Sequence, residues 1–228
     1  MCLEIGFTTH SRVFWAAIRP LCPTSQAEEP CPCTRAHNPL IRISYFNDRL
    51  KCLKHLLDEI PDVLRPWQPE HSRDKDFAIQ MPSLLHTQFA AMRVNLHVTH
   101  LWLQSLIMDQ LEAAQTHQQG HGWPAGAFDQ RQMWQDREEI CRRLFCILYN
   151  APQISLEANG LHLATKVRDI SASLLACPFG PDDPISKRVT EYIGQSTEIL
   201  SRLDQSESLN TMHLQTWVDT DRFGRAGG

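Results

Sequence analysis

The longest regular stretch of the chain runs from about residue 83 to 116, and its apolar residues leave it few ways to fold. Leu85, Phe89, Met92, Leu96, Leu103 and Ile107 recur at the helical period, while Val94, Val98, Leu101, Trp102, Leu106 and Met108 add apolar groups on other faces. A helix that is apolar nearly all round must be packed on several sides at once. The pattern therefore predicts one long central helix with others around it. It ends in His117-Gln118-Gln119-Gly120-His121-Gly122-Trp123-Pro124, a loop by its glycine and proline content.

The rest of the chain supplies the surrounding helices. Ile43, Phe46, Leu50, Leu53, Leu57 and Ile60 form an amphipathic stripe that Pro61 ends. A further helix is expected to open at Asp136, which with Glu139 has the spacing of a capping box. Its buried positions would be Ile140, Leu144, Phe145, Ile147 and Leu148, with Pro152 just past its end. Another runs from about Leu161 to Cys177 on Ala164, Val167, Ile170 and Leu174. Asp183 and Pro184 then suit a helix start, with a stripe through Val189, Tyr192, Ile193, Ile199, Leu200 and Leu203. A short last helix is expected over 209–218, with Met212 and Trp217 facing inward. Residues 1–40 hold five prolines and little periodicity, so they are expected to be irregular or poorly ordered, with 41–228 as the helical domain. No useful alternation of strand period occurs, and the expected fold class is all-α.

Composition narrows function more than fold. The 228 residues carry a formal net charge of −4 with a pI near 6.2, which speaks against a self-sufficient nucleic-acid binder. No window has the ~18 uninterrupted apolar residues of a membrane span, and the start has no basic region of a secretion signal, so neither anchor nor leader is expected. Cysteines stand at 2, 22, 31, 33, 52, 141, 146 and 177, too sparse for a secreted disulfide scaffold. Buried reduced thiols in a reducing compartment are the expectation for Cys52, Cys141, Cys146 and Cys177.

Motifs with mechanical content are missing: no phosphate-cradling glycine loop, no nucleophile elbow and no His-Glu-x-x-His occurs. His97 and His100 are three apart on the central helix, where two imidazoles can share an ion or, more simply, sit hydrogen-bonded near the core. His117 and His121 flank Gly120, and Cys31-Pro32-Cys33 has no second pair to complete a zinc site. Asp58-Glu59 and Glu138-Glu139 are adjacent on helices and so diverge, which suits solvated faces better than acid–base work. Arg142, Arg143, Lys166, Arg168, Lys187 and Arg188 are interleaved with acids and read as ordinary helix surface. No catalytic residue and no metal ligand set is assigned.

One resemblance goes beyond these patterns. Leu85-His86-Thr87-Gln88-Phe89 followed by Arg93-Val94-Asn95-Leu96-His97 resembles a helix of the fungal-specific transcription factor domain, the helical regulatory region of fungal zinc-cluster transcription factors. Asp136 to Leu144, Leu156-Glu157-Ala158-Asn159-Gly160, Lys166 to Ile170 and Leu174-Leu175 resemble later blocks of the same proteins, so that the likeness spans roughly 41 to 218. Departures are visible: Val98-Thr99 stands where members have Arg-Pro, and the six-cysteine zinc cluster with its basic helix is missing. The resemblance implies a non-enzymatic transcription regulator in the nucleus, corresponding to the carboxy-terminal part of such a factor and controlling metabolic or secondary-metabolite genes. It implies protein partners in transcription, a homodimer, and a small-molecule effector met by His86, His97 and His100. It further implies no cofactor in this chain, and DNA contact only through the missing amino-terminal module. Two other readings stand beside it: a generic helical protein-interaction module, and a helical metal-dependent enzyme built on His97/His100 and His117/His121.

Overall fold

The computed structural model describes residues 2–18, 38–67, 83–119 and 130–225, with side chains described as far as Asp204. Among these residues there are seven α-helices and no strand: α1 Cys2–Ile18, α2 Pro39–His55, α3 Ser83–Gln119, α4 Gln130–Asn150, α5 Gln153–Glu157, α6 Gly160–Ser173 and α7 Pro184–Arg225. Short 3-10 turns occupy Asp62–Leu64 and Leu174–Ala176. The all-α class is as expected.

Helix α3 is the hub. It packs against α1, α2, α4, α5 and α6, while α7 lies against α4, α5 and α6. The reason is its composition: Val94, Leu96, Val98, Leu101, Leu103, Ile107 and Met108 are all buried, on every side of one helix. Leu53 of α2, Trp134 and Leu144 of α4, Val167 and Ile170 of α6, and Ile185 and Val189 of α7 close the core around it. No helix among the described residues is long and apolar enough to cross a membrane.

Helix ends follow local chemistry. Asn38 Oδ1 accepts the N–H groups of Leu40 (3.1 Å) and Ile41 (3.3 Å), with Pro39 at the first helical position. Asp183 Oδ1 likewise accepts Ile185 N–H at 2.8 Å ahead of Pro184. Between α5 and α6 the chain turns at Gly160, whose φ of +43° lies in the left-handed region. Asn159 fixes that turn, its Nδ2 donating to Ser155 O (2.7 Å) and to Ala91 O of α3 (3.1 Å). Gly160→Ala is expected to cost about 1–2 kcal/mol from the left-handed penalty alone, since no atom would touch the added Cβ. Urea denaturation of the variant checks it.

Three expectations are corrected. Residues 2–18 are a helix rather than irregular chain: the prolines that argued otherwise begin only at Pro20, and Val13 and Ala16 are completely buried. The approach of α1 to α3 is close, since a Cβ at Gly6 would fall 1.8 Å from Met92 Cε, so Met92 would have to swing aside. Residues 19–37 lie outside the described residues. Second, α4 opens at Gln130, not Asp136. Residues 130–135 hold no glycine or proline, and Met133 and Trp134 are buried, so helix continues over them. The Asp136 carboxylate instead accepts Lys54 Nζ (2.6 Å) and Gln132 Nε2 (3.1 Å). Third, 209–218 belongs to α7, because neither glycine nor proline breaks the chain between Gly194 and Gly224. The expected facing of Met212 and Trp217 lies outside the described side chains. The long central helix is as expected in α3, and α7 is longer still.

Candidate functional site

The block that carries the resemblance forms a clamp between α3 and the chain leaving α2. Arg93, His97 and His100 stand at i, i+4 and i+7 and so share one face of α3. Arg93 donates through Nε (3.1 Å) and Nη2 (2.9 Å) to the carbonyl of Val63, and its guanidinium lies 4.5 Å over the Trp67 ring. His97 Nε2–H donates to Leu64 O at 2.7 Å, and His100 Nε2–H to Leu53 O at 2.5 Å. The carbonyls of Val63 and Leu64, left over by the 3-10 turn, are thereby satisfied, while that of Leu53, which already accepts Leu56 N–H (3.2 Å), gains a second donor.

A carbonyl can only accept, so it fixes the proton of each ring on Nε2. Gln104 Nε2 then donates to His100 Nδ1 at 3.2 Å, the ring nitrogen that keeps a lone pair. Burial holds both imidazoles well below their ordinary range, at about 4, against the opposite pull of the carbonyls. For His97 the nearby Arg143 and Arg93 add to the burial; for His100, Arg143 and His97 do so, and Asp58 acts the other way. Both rings are neutral at pH 7. An ion at either Nε2 would have to displace a carbonyl and a proton.

His86, the third candidate, is exposed near the start of α3 and does not join the other two. His121, Cys31 and Cys33 lie outside the described residues, as does the side chain of His117. Among the described residues no group of three His, Cys, Asp or Glu is placed to hold a metal ion.

The acids and bases fall partly as expected. Asp58 and Glu59 are exposed, with Asp58 3.0 Å from His55 Nδ1. Glu139 holds Arg142 in a two-pronged pair at 2.7 Å. Glu138 departs from the solvated reading: it is buried, and both its oxygens accept from Arg188 of α7 (2.7 and 3.0 Å). Arg168, Lys187 and Arg188 are exposed helix surface, while Arg143 and Lys166 are half-buried. Of the thiols, only Cys141 fits the expected buried, free state, and burial pushes it up to about 12. Cys146 is exposed on the far side of the same helix, Cys177 is half-buried, and Cys52 is disulfide-bonded rather than free.

Three cations that periodicity treats as surface are the polar anchors of the interior. Arg49 of α2, 1% exposed, donates Nη1–H to Ala16 O (3.2 Å) at the carboxyl end of α1 and lies 4.5 Å over Tyr45. Arg137 of α4 reaches Asp109 (2.7 Å) and Glu112 (2.8 Å) of α3. Lys166 of α6 donates to Asn95 Oδ1 (2.8 Å) and Thr99 Oγ1 (2.6 Å) of α3. Their partners lie 25 or more residues away along the chain, beyond the reach of any local pattern.

Comparison with protein-family models, with curated proteins and with solved structures finds no match to this chain.

Proposed function

We propose that the chain is a regulatory domain of the fungal zinc-cluster transcription factor type, acting in the nucleus through protein contacts and controlling metabolic or secondary-metabolite genes. The Arg93–His97 block is the observation that supports it. The polar residues that make the resemblance hold Val63 O and Leu64 O, which is how a sequence pattern that specifies a fold, and not a catalyst, would be used. We assign the chain no catalytic activity and no resident cofactor. DNA contact is left to a zinc-cluster module, for these 228 residues contain no Cys-x-x-Cys pair and carry a net charge of −4.

Two measurements test this. Tethered to an unrelated DNA-binding module, the chain is expected to change the output of a reporter, and a tagged copy to accumulate in the nucleus. An unchanged reporter together with nuclear exclusion would overturn the assignment. On duplex DNA the isolated chain is expected to give no mobility shift below about 1 µM at physiological salt. A tight, salt-dependent shift would show that it reads DNA by itself.

A generic protein-interaction module is the second reading, favoured by the outer face of α1. There Phe7 is 75% and Trp15 53% exposed, on a helix whose opposite side is already buried. Nuclear exclusion with an unchanged reporter would leave this one standing.

A further inference from the structure

Helix α1 is a fixed platform with one side turned to solvent. Val13 and Ala16 are completely buried, Gly6 lies against Met92 of α3, and Arg49 of α2 holds Ala16 O at the carboxyl end. Ile5, Phe7, Phe14 and Trp15 are nevertheless exposed. Four large apolar side chains exposed on one helix of 17 residues are a patch rather than scattered surface apolar groups, and such patches mark interaction surfaces.

The charges on the same helix say what fits there. Glu4 and Arg12 are its two charged side chains, one of each sign, and both are exposed. Eight residues, about 12 Å along the axis, separate them, so they do not pair with each other as residues three or four apart would. Thr8, also exposed, stands midway. A second α1 that crosses antiparallel at Thr8 therefore sets each Glu4 opposite the Arg12 of the other copy, and both pairs form together. The same two-fold axis brings Phe7, next to the crossing, beside its own counterpart, as an interface that uses one patch twice requires. Parallel pairing would oppose like charges, and a uniformly acidic or basic partner would repel one of the two.

We propose that the exposed face of α1 pairs, antiparallel and about a two-fold axis at Thr8, with α1 of a second copy of the chain. This deepens the interaction reading of α1 and rests on it. It does not rest on the transcriptional assignment, because α1 lies outside the blocks that carry the resemblance. One helix of about 26 Å against another is a small interface, so the association is reversible and falls in the micromolar range.

The test is sedimentation equilibrium of the full chain from about 5 to 500 µM. Wild type is expected to pass from monomer toward dimer across that range. Phe7→Ser should weaken association about tenfold and leave the melting temperature unchanged, since Phe7 lies on the solvent side. Glu4→Arg and Arg12→Glu each oppose like charges in both pairs, so each alone should also weaken it about tenfold. An equimolar mixture of these two variants should associate like wild type, because every opposed pair is again of opposite sign. A chain that stays monomeric throughout would overturn the self-pairing, while the wider interaction reading, which names no partner, would stand. Dimers unaffected by Phe7→Ser would overturn it too, by placing the contact elsewhere. A mixture no tighter than its two components would overturn the antiparallel crossing at Thr8.

Discussion

Replacing Arg137 by alanine is expected to destabilise the chain by about 3 kcal/mol, a loss readable as a lowered urea midpoint. The side chain is 2% exposed, ties α4 to Asp109 and Glu112 of α3, and lies 5.5 Å over the Trp134 ring. Alanine removes the counter-charge of two acids and the packing volume beside a fully buried tryptophan. The acids are themselves 40% and 30% exposed, so water takes up part of the lost pairing and the cost stays near the lower end for broken buried pairs. Methionine at the same position keeps the volume and removes the Nε–H that has no partner, so Arg137→Met should cost about half as much. Adding Asp109→Asn and Glu112→Gln to Arg137→Met should recover part of the remainder, because no unpaired acid is then left. Equal losses for alanine and methionine would mean that charge, not packing, holds this seam.

Acidification from pH 7.5 to 5.5 is expected to remove roughly 3 kcal/mol of stability through His97 and His100 together. In the unfolded chain both rings titrate near 6.5, while in the fold burial keeps them near 4. Between those values the unfolded chain takes up protons that the folded chain refuses. Stability is therefore full above about pH 7.5, declines as pH falls through 6.5, and levels off only near 4. His10 is shifted in the same direction and adds to the slope. His97→Asn and His100→Asn should each remove close to half of the pH dependence attributed to the pair, though each also weakens the clamp at neutral pH. Urea midpoints at the two pH values check this. A wild type equally stable at both would mean that these rings accept protons in the folded state.

How much of this was legible in the sequence varies element by element. Helix α3 and its central place follow from apolar residues on all faces between Leu85 and Met108, and the start of α7 follows from Asp183-Pro184, whereas the start of α2 at Pro39, capped by Asn38, falls in the stretch expected to be irregular. Those signals are local: periodicity and caps involve residues a turn apart. Errors arose where a local signal had two meanings. Asp136-x-x-Glu139 is the spacing of a capping box and equally of two residues within a helix, and only the burial of Met133 and Trp134 tells the two apart. Prolines from 20 onward said nothing about residues 2–18. Of the candidate site residues, His97 and His100 were found as inward-facing histidines of α3, while their acceptors were not, since Leu64 O and Leu53 O lie 33 and 47 residues away.

By itself, then, the sequence determined that this chain is helical, where most helices lie, and that α3 is surrounded, because hydrophobic periodicity and capping act over a single turn. Tertiary structure alone decided what the inward polar residues are for. Arg49, Arg93, Arg137 and Lys166 read like the exposed arginines and lysines around them, and their roles come from carbonyls, carboxylates and amides brought up from distant parts of the chain. The cost of burying a charge or an imidazole depends on whether such a partner is within hydrogen-bond reach, and that is settled by packing rather than by neighbours in sequence.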